Sequence, residues 1–347
     1  MGRAVVIAGL FAVLLIAGQL LFGSGQTVST ETRPTESVRR IHLLAVGDIN
    51  LGRAVGQEIL RGDTLYPFAE TGDSLQAYDL VFGNLESCLS EQNGETQNSK
   101  NNLIFTGPPA GGAALKKAGF DVVATANNHA LDYGLKGWTE TMENLERAGV
   151  AFVGTSRSAA DLCGPVILER GGIRIAFLAC TDVMNRPGEG WKRYVAAADS
   201  GVIARIRQAR GVADLVILSY HGGEEYSDRP SRRTVDFARA AVEAGADLFL
   251  GHHPHVPYGI ERWRGGLIVH SLGNFVFRQP SRYWTQRSYA LSAAIVKDSR
   301  GTRVEEYAVI PLLAGFRPAF AVSPADQDTV YQRVFALSST EVTELVR

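Results

Sequence analysis

Past residue 40, the chain alternates short apolar runs with amphipathic stretches, a pattern typical of a core built from strands and helices. The apolar runs predict strands. Two of them, within residues 166–180, are joined by Gly171-Gly172, which predicts a hairpin turn. The other predicted strands are residues 41–47, 78–84, 120–126, 213–220, 246–251, 267–277, 289–296 and 303–312.

The amphipathic stretches predict helices. They cover residues 110–118, 135–148, 203–210, 232–244, 326–337 and 339–346. Helical spacing puts Leu135, Trp138, Met142 and Leu145 on one stripe, and we expect that stripe to pack in the core. Alternation of strands and helices predicts an α/β core, and the hairpins indicate a sheet that is not purely parallel.

Residues 4–22 form an apolar stretch whose one strongly polar side chain is Gln19, and no charge occurs between Arg3 and Glu31. A helix rising about 1.5 Å per residue would make this stretch nearly long enough for a hydrocarbon core of about 30 Å. Residues 1–23 therefore predict one N-terminal transmembrane helix with the remainder exported, although a cleaved signal peptide and a secreted product stay open. Residues 24–40 are polar and predict a tether to a domain over residues 41–347.

Composition narrows the classes of protein. With 45% hydrophobic and 20% charged residues the chain is too apolar for disorder, and three Cys cannot form a disulfide scaffold. Residues 1–40 hold four of the 35 Lys and Arg and two of the 36 Asp and Glu, which leaves 31 against 34, a formal −3, for the rest. That domain lacks the basic excess of a nucleic-acid binder, and local groups must attract any acidic polymer.

Polar side chains cluster at the points where six predicted strands end. Sites in open α/β sheets form at the carboxyl ends of strands, so we expect these side chains to lie together. Taken singly, an Asp after a strand or an Asn pair is usually a turn, and Glu224-Glu225 would ordinarily be solvated. The candidates are Asp48, Asn50, Arg53, Asn84, Glu86, Asn127, Asn128, His129, Asp132, His221, Glu224, Glu225, His252, His253, His255 and Asn274.

The His-His-Pro-His run at residues 252–255 is the strongest single signal, because three imidazoles in four positions seldom serve packing. His42 and His270, by contrast, lie inside predicted strands, where we expect core or sheet-surface positions. Carboxylate, amide and imidazole donors without thiolate suit Mn, Fe, Zn or Mg. The donors exceed the needs of one tetrahedral ion, which favours two divalent ions about 3.5–4 Å apart, bridged by an acidic residue. The polar loop over residues 90–102 is a candidate lid.

Six motifs, taken in their order along the chain, resemble those of a known protein family. GDINLGR, DLVFGNLE, ANNHALDYG, YHGGEEY, GHHPHV and HSLGNF are similar to the motifs of the CapA family of bacterial capsule and poly-γ-glutamate synthesis proteins, from about His42 to Phe277. The resemblance implies a four-layer αββα sandwich similar to the calcineurin-like metallophosphoesterases, with two metal ions. It also implies a membrane-anchored, extracytoplasmic protein tied to polymer synthesis, transport or release.

The resemblance carries roles onto individual residues. Glu86 occupies the bridging position, His129 the position that stabilises the leaving oxygen, and Asn50 stands where the phosphoesterases have a further His ligand. The implied metal ligands are Asp48, Glu86, Asn128, His221, His253 and His255. Arg53 and Asp132 are expected to join His129 in catalysis. The groups expected to contact substrate or support the ligands are Asn50, Asn84, His252, Glu225 and Asn274.

Together these features predict a membrane-anchored, metal-dependent hydrolase of a phosphoryl or amide bond in capsule or poly-γ-glutamate biosynthesis. Two alternatives stay open: a non-hydrolytic component of a polymer synthase or exporter, and a general metal-dependent phosphodiesterase. The expected partners are poly-γ-glutamate or another anionic cell-envelope polymer, a polymer synthase complex and the bacterial membrane, with no nucleic acid.

Overall fold

A computed structural model describes residues 38–320 and 323–339. The predicted membrane segment, nearly all of the tether and all but the first residue of the helix predicted over residues 339–346 lie outside these ranges. Within them, no helix is both long enough and apolar enough to cross a membrane.

The described residues form two large sheets, one small sheet and the helices that cover them. The strands are β1 Arg39–Ile49, β2 Leu80–Leu85, β3 Cys88–Leu89, β4 Thr106–Gly107, β5 Val122–Ala124, β6 Ala151–Val153, β7 Val166–Arg170, β8 Ile173–Thr181, β9 Leu215–His221, β10 Leu248–His252, β11 Ile260–Trp263, β12 Gly266–Val269, β13 Arg287–Asp298 and β14 Gly301–Leu313. The α-helices are α1 Arg53–Leu60, α2 Gly72–Gln76, α3 Gly111–Ala118, α4 Gly134–Ala148, α5 Ser200–Arg210, α6 Arg232–Glu243 and α7 Pro324–Leu337.

Both large sheets are six-stranded and mixed. The first has the order β14-β13-β1-β2-β5-β6, parallel from β1 to β6 and antiparallel at β13 and β14. The second has the order β11-β12-β10-β9-β8-β7, parallel from β12 to β8 and antiparallel at both edges. The parallel strands at the centre of each sheet therefore end at one edge, which is where the polar candidates lie.

The alternation of side chains along each strand produces four layers. Leu43 and Ala45 of β1 face the core between the sheets, where Phe82 and Phe177 stack with ring centroids 5.9 Å apart. Leu44 and Val46 face the opposite way, into a core shared with α1, α2 and α3. The outer face of the second sheet packs against α5 and α6. The predicted four-layer α/β/β/α arrangement is thus confirmed by which residues share each core.

Most predicted strands are present, and the hairpin of β7 and β8 turns at Gly171 and Gly172, whose φ angles of 56° and 73° favour glycine. The strand predicted over residues 267–277 is wrong beyond Val269. From there the backbone crosses the end of β1: Asp48 N donates to Gly273 O at 3.0 Å, and Phe275 N donates to Asp48 O at 2.9 Å. The apolar run that resembled a strand is a buried, irregular segment beneath the site.

The stripe on α4 is only partly in the core. Trp138, Met142 and Leu145 are buried, but Leu135 is half exposed because the first turn of α4 lines an open groove beside Trp191. His42 lies exposed on β1, and His270 is buried with Nε2 3.0 Å from a carboxylate oxygen of Glu261.

Candidate metal centre

The ends of parallel strands in both large sheets deliver the candidate side chains to one place. Asp48 lies at the end of β1, Glu86 directly follows β2, and His221 ends β9. β9 and β10 run in register with His221 paired to His252, which places the loop bearing the remaining histidines beside the first sheet. All these side chains are buried, including those of Asn128, His253 and His255.

The carboxylates and imidazoles form overlapping groups whose ligand atoms lie within 4.8 Å of one another. Glu86, His221 and His253 make one group, and Asp48, Glu86 and His255 make another. Glu86 belongs to both, with Oε1 3.6 Å from His221 Nε2 and 3.8 Å from His255 Nε2. The geometry therefore places the carboxylate of Glu86 between two potential cation positions.

Asp48 is held by neighbours on both sheets. Asn84 Nδ2 donates to Oδ1 at 2.8 Å, and the backbone N of His253 donates to Oδ2 at 3.3 Å. Burial would raise the pKa of Asp48, but the imidazoles of His252 and His255, at 3.4 and 3.3 Å, outweigh it and hold that pKa well below its ordinary value. Asp48 is thus a carboxylate at neutral pH and ready to bind a cation.

Glu86 is fully buried, and neither carboxylate oxygen has a hydrogen-bond partner among the described residues. Burial, followed by the charge of Asp48, raises the pKa of Glu86 well above its ordinary value. A buried carboxylate without donors is costly, and a bound cation compensates that cost. A divalent cation would therefore fit beside these two carboxylate oxygens.

The two histidines of the first group, His221 and His253, both have lowered pKa values, which favour the neutral form. Burial, followed by the charge of His253, lowers the pKa of His221 well below its ordinary value. Burial, followed by His255, lowers the pKa of His253 to about 3. His221 Nε2 lies 2.8 Å from Asn128 Oδ1 and 3.1 Å from His253 Nδ1. Neutral imidazole is the form that binds metals, so this cluster is in the ligating state.

The loop after β10 holds two histidines in the left-handed region, with φ of 93° at His253 and 60° at His255. Residues other than glycine rarely adopt this conformation, and such strain concentrates at functional sites. The side chain of His255 is fixed by Asn274, whose Oδ1 lies 2.9 Å from Nδ1. This contact leaves Nε2 of His255 directed at Glu86.

His129 lies at the rim of the same centre. Its Nδ1 donates to Asp132 Oδ2 at 2.8 Å, and its Nε2 lies 3.9 Å from Glu86 Oε1. Its ring stacks on Phe105 with centroids 4.2 Å apart, and the backbone N of Phe105 donates to the same oxygen of Asp132 at 3.1 Å. The imidazole is therefore fixed in rotation and in tautomer.

Arg53 also packs against the ring of Phe105. Its guanidinium carbon lies 4.6 Å from the Phe105 ring centroid and 5.7 Å from that of Phe277. Nη2 donates to Asn102 O at 3.0 Å, while Nε is buried without a partner in the described chain. Burial lowers the pKa of this half-buried group, and the charge of Glu86 opposes that shift. Residues 90–102, the candidate lid, thus contact Arg53 at the rim.

Two of the residues expected to support the metal-ligating side chains do so through hydrogen bonds. Asn84 contacts Asp48 and also His221, with Nδ2 3.1 Å from Nδ1. Asn274 orients His255 and donates from Nδ2 to Thr285 O at 3.0 Å. Both keep a ligand ring in place.

The other three residues expected to contact substrate or support the ligands are Asn50, His252 and Glu225, and each has a different environment. The Asn50 side-chain oxygen is engaged in a turn, where Oδ1 accepts from Gly52 N at 2.8 Å. His252 is fully buried beside Asp48, and neither ring nitrogen has a hydrogen-bond partner within the described ranges. Glu225 is exposed, yet its carboxylate groups with His253 and His255 within the same 4.8 Å limit.

Sequence reasoning missed two residues of the rim. Asn185, in the loop after β8, accepts at Oδ1 from Asn128 Nδ2 at 3.1 Å, and its own Nδ2 lies 3.5 Å from His129 Nδ1. The second is Phe105, which lies between the predicted loop over residues 90–102 and the helix predicted over residues 110–118 and was assigned no role. Asn127, which the sequence placed at a strand end without a role, donates to Leu85 O at 2.8 Å and accepts from His129 N at 3.2 Å.

Comparison with known proteins agrees with these motifs. The family model described as bacterial capsule synthesis protein PGA_cap matches residues 42–279. The chain is 32% identical over 338 residues to the capsule biosynthesis protein CapA of Bacillus anthracis, covering 95% of this chain and 80% of that protein. It is 36% identical over 247 residues to the PGA biosynthesis protein CapA of Bacillus subtilis (strain 168), covering 70% and 63% respectively.

Among solved structures, the fold is similar to the calcineurin-like phosphoesterase YfkN from Bacillus subtilis. The TM-score is 0.49 and the identity 12%, over 86% of this chain and 98% of that one.

Proposed function

The chain belongs to the bacterial capsule synthesis protein family, and on that premise we propose that its folded domain is a metal-dependent hydrolase. Its substrate is a phosphoryl or amide bond in the metabolism of poly-γ-glutamate or another anionic cell-envelope polymer. The observation that carries this proposal is the carboxylate of Glu86, which is fully buried, has no hydrogen-bond partner among the described residues and is shared by two ligand groups.

Two divalent ions of the Mn, Fe, Zn or Mg class fit the donors. Asp48, Glu86 and His255 would hold one, and Glu86, Asn128, His221 and His253 the other. When bound, such a pair lowers the pKa of a coordinated water and polarises the oxygens of the scissile group.

The chain's own contribution to bond cleavage centres on His129. Nδ1 of His129 donates a hydrogen bond to Asp132, so Nε2 is the nitrogen that faces the centre and can hold a proton there. A leaving oxygen or nitrogen would take this proton as its bond breaks, while Asp132 stabilises the charged imidazole before transfer. Stacking on Phe105 keeps the ring from turning away.

Arg53 is the group that we assign to the anionic substrate. The domain carries a formal −3, so attraction must be local. Beside the centre, Arg53 offers a buried Nε that has no partner among the residues the structure describes. Its flat guanidinium suits carboxylate and phosphate oxygens, and the rings of Phe105 and Phe277 limit its rotation.

We further propose that residues 1–23 anchor the protein in the bacterial membrane, with the domain outside the cytoplasm. The proposal is supported by the uncharged apolar sequence of residues 4–22 and by the Arg that precedes it. Fractionation of cells would place the full chain in the membrane pellet, accessible to protease from outside.

The test of the hydrolase is a chelator experiment on the full chain purified in detergent. It is incubated with poly-γ-glutamate and separately with an aryl phosphodiester, before and after metal removal and return. We expect cleavage of the polymer that is lost with chelator and restored by Mn²⁺. Turnover of the aryl ester alone, with no polymer defect on gene deletion, would favour a general phosphodiesterase. Intact polymer export by a His129→Ala variant would favour a non-hydrolytic role.

A further inference from the structure

The two ligand groups that share Glu86 differ in their number of protein donors. The group with His221 and His253 has Asn128 as a fourth donor, because Asn128 Oδ1 lies 2.8 Å from His221 Nε2. The group with Asp48 and His255 has three protein donors. Asn50 stands where a further ligand would be expected, but its Oδ1 accepts a hydrogen bond from Gly52 N within a turn.

Glu225 lies beside His255, which belongs to the group with three protein donors. Its carboxylate oxygen and the ring nitrogens of His253 and His255 all lie within 4.8 Å of one another. Glu225 is exposed and Glu86 is fully buried, so the two carboxylates approach the histidines from the solvent side and from the protein interior.

The backbone holds Glu225 in this place. Gly222 N donates to His252 O at 3.1 Å, and Tyr226 N donates to Pro254 O at 2.9 Å, so the loop after β9 is bonded to the loop after β10 on both sides of Glu225. Tyr226 has φ of 61°, a conformation that residues other than glycine rarely adopt. A glutamate in a freely solvated loop would need neither of these two backbone hydrogen bonds.

We propose that Glu225 is a metal ligand that completes the coordination of the cation held by Asp48, Glu86 and His255. It would take the place of Asn50, whose side-chain oxygen is already hydrogen-bonded. This inference rests on the proposed function and deepens it, because it also specifies the ion. Three carboxylates with one imidazole form a hard, oxygen-rich set, which favours Mn²⁺ or Mg²⁺ over Zn²⁺ at this position.

The experiment measures metal binding rather than turnover. The full chain is stripped with chelator and titrated with Mn²⁺ by calorimetry, and bound metal is counted by mass spectrometry. The variants are Glu225→Gln, its exposed neighbour Glu224→Gln as the matched control, and His221→Ala. Unfolding midpoints of the stripped proteins check that each variant folds.

We expect Glu225→Gln to weaken one of two Mn²⁺ binding events by about 10–100-fold and to leave the other unchanged. Glu224→Gln should bind like the wild type, and His221→Ala should lose the other event. Wild-type binding by Glu225→Gln, together with a loss in His221→Ala, would overturn the role of Glu225 alone. Wild-type binding by both would overturn the metal centre itself and the role of Glu225 with it.

Discussion

The imidazole of His129 and the carboxylate of Asp132 form a buried pair, with Nδ1 2.8 Å from Oδ2. The same oxygen accepts the backbone N of Phe105 at 3.1 Å. Asp132 is therefore held by two donors and cannot rotate without breaking both bonds. The pair fixes which nitrogen of His129 faces Glu86, and so which atom can deliver a proton.

Asp132→Asn should separate proton delivery from metal binding. The amide loses the charge that stabilises protonated His129 and also allows the wrong tautomer, so kcat should fall by about 10²–10⁴-fold. Metal content should stay at the wild-type value, because Asp132 lies outside both groups that share Glu86. The check is kcat beside metal analysis on the same preparation. An unchanged kcat would remove His129 and Asp132 from the mechanism.

Arg53→Ala should weaken binding of the anionic substrate. Loss of a charged hydrogen-bond donor costs about 1.5–3 kcal/mol, which corresponds to a KM increase of about 10–100-fold. Arg53→Lys should recover little, because an ammonium cannot reproduce the flat guanidinium between the rings of Phe105 and Phe277. Steady-state kinetics on the polymer substrate measure both. Full recovery by Lys would reduce the role of Arg53 to charge alone.

Much of the centre was predictable because its signals are local. Asp48, Glu86 and His221 directly follow or end buried apolar strands, and parallel strands bring their ends to one edge. The His253-Pro254-His255 sequence adds a composition that packing does not explain. The sequence therefore indicated which side chains meet, without showing their distances.

Other parts depended on the path of the chain. Asn185 is an exposed loop residue, a type usually found in turns, and its contacts with Asn128 and His129 arise from how the loop after β8 returns over the edge. The segment around Asn274 read as a strand because it is apolar. Its burial beneath Asp48 requires the close approach of two backbones, which no local pattern reveals.

Gly47→Ala should test the close contact between the backbone of β1 and the segment around Asn274. A Cβ at Gly47 would lie 1.9 Å from Gly273 O, so β1 or the crossing segment must shift. We expect the free energy of unfolding to fall by about 1–3 kcal/mol or more. Gly72→Ala is the control, since a Cβ there meets nothing within 4 Å. Urea unfolding measures both, and equal stability of the two variants would contradict the close contact.

Asp214 joins the two sheets and should give acid-dependent stability. It accepts from Arg174 N at 2.8 Å and lies 3.0 Å from Lys297 Nζ on β13. Burial would raise the pKa of Asp214, but these partners lower it from 3.8 to about 2. The folded state thus binds this proton less tightly than the unfolded state does, so the stabilisation is present above about pH 4 and is lost as pH falls toward 2.

Asp214→Asn should therefore be less stable than wild type at pH 6, and the difference should shrink as pH approaches 2. Urea unfolding at a series of pH values gives this difference directly. A gap that stays constant across that range would mean that Asp214 acts through neutral hydrogen bonds alone.

The two-ion centre around Glu86 is tested most directly by counting metal in the purified full chain with elemental mass spectrometry. We predict two divalent ions per chain in the wild type and in His42→Ala, whose histidine is exposed on β1. His221→Ala and His253→Ala should each lose at least one ion, because each removes a neutral imidazole from a group that shares Glu86. Metal content equal to the wild type in both of these variants would contradict the centre.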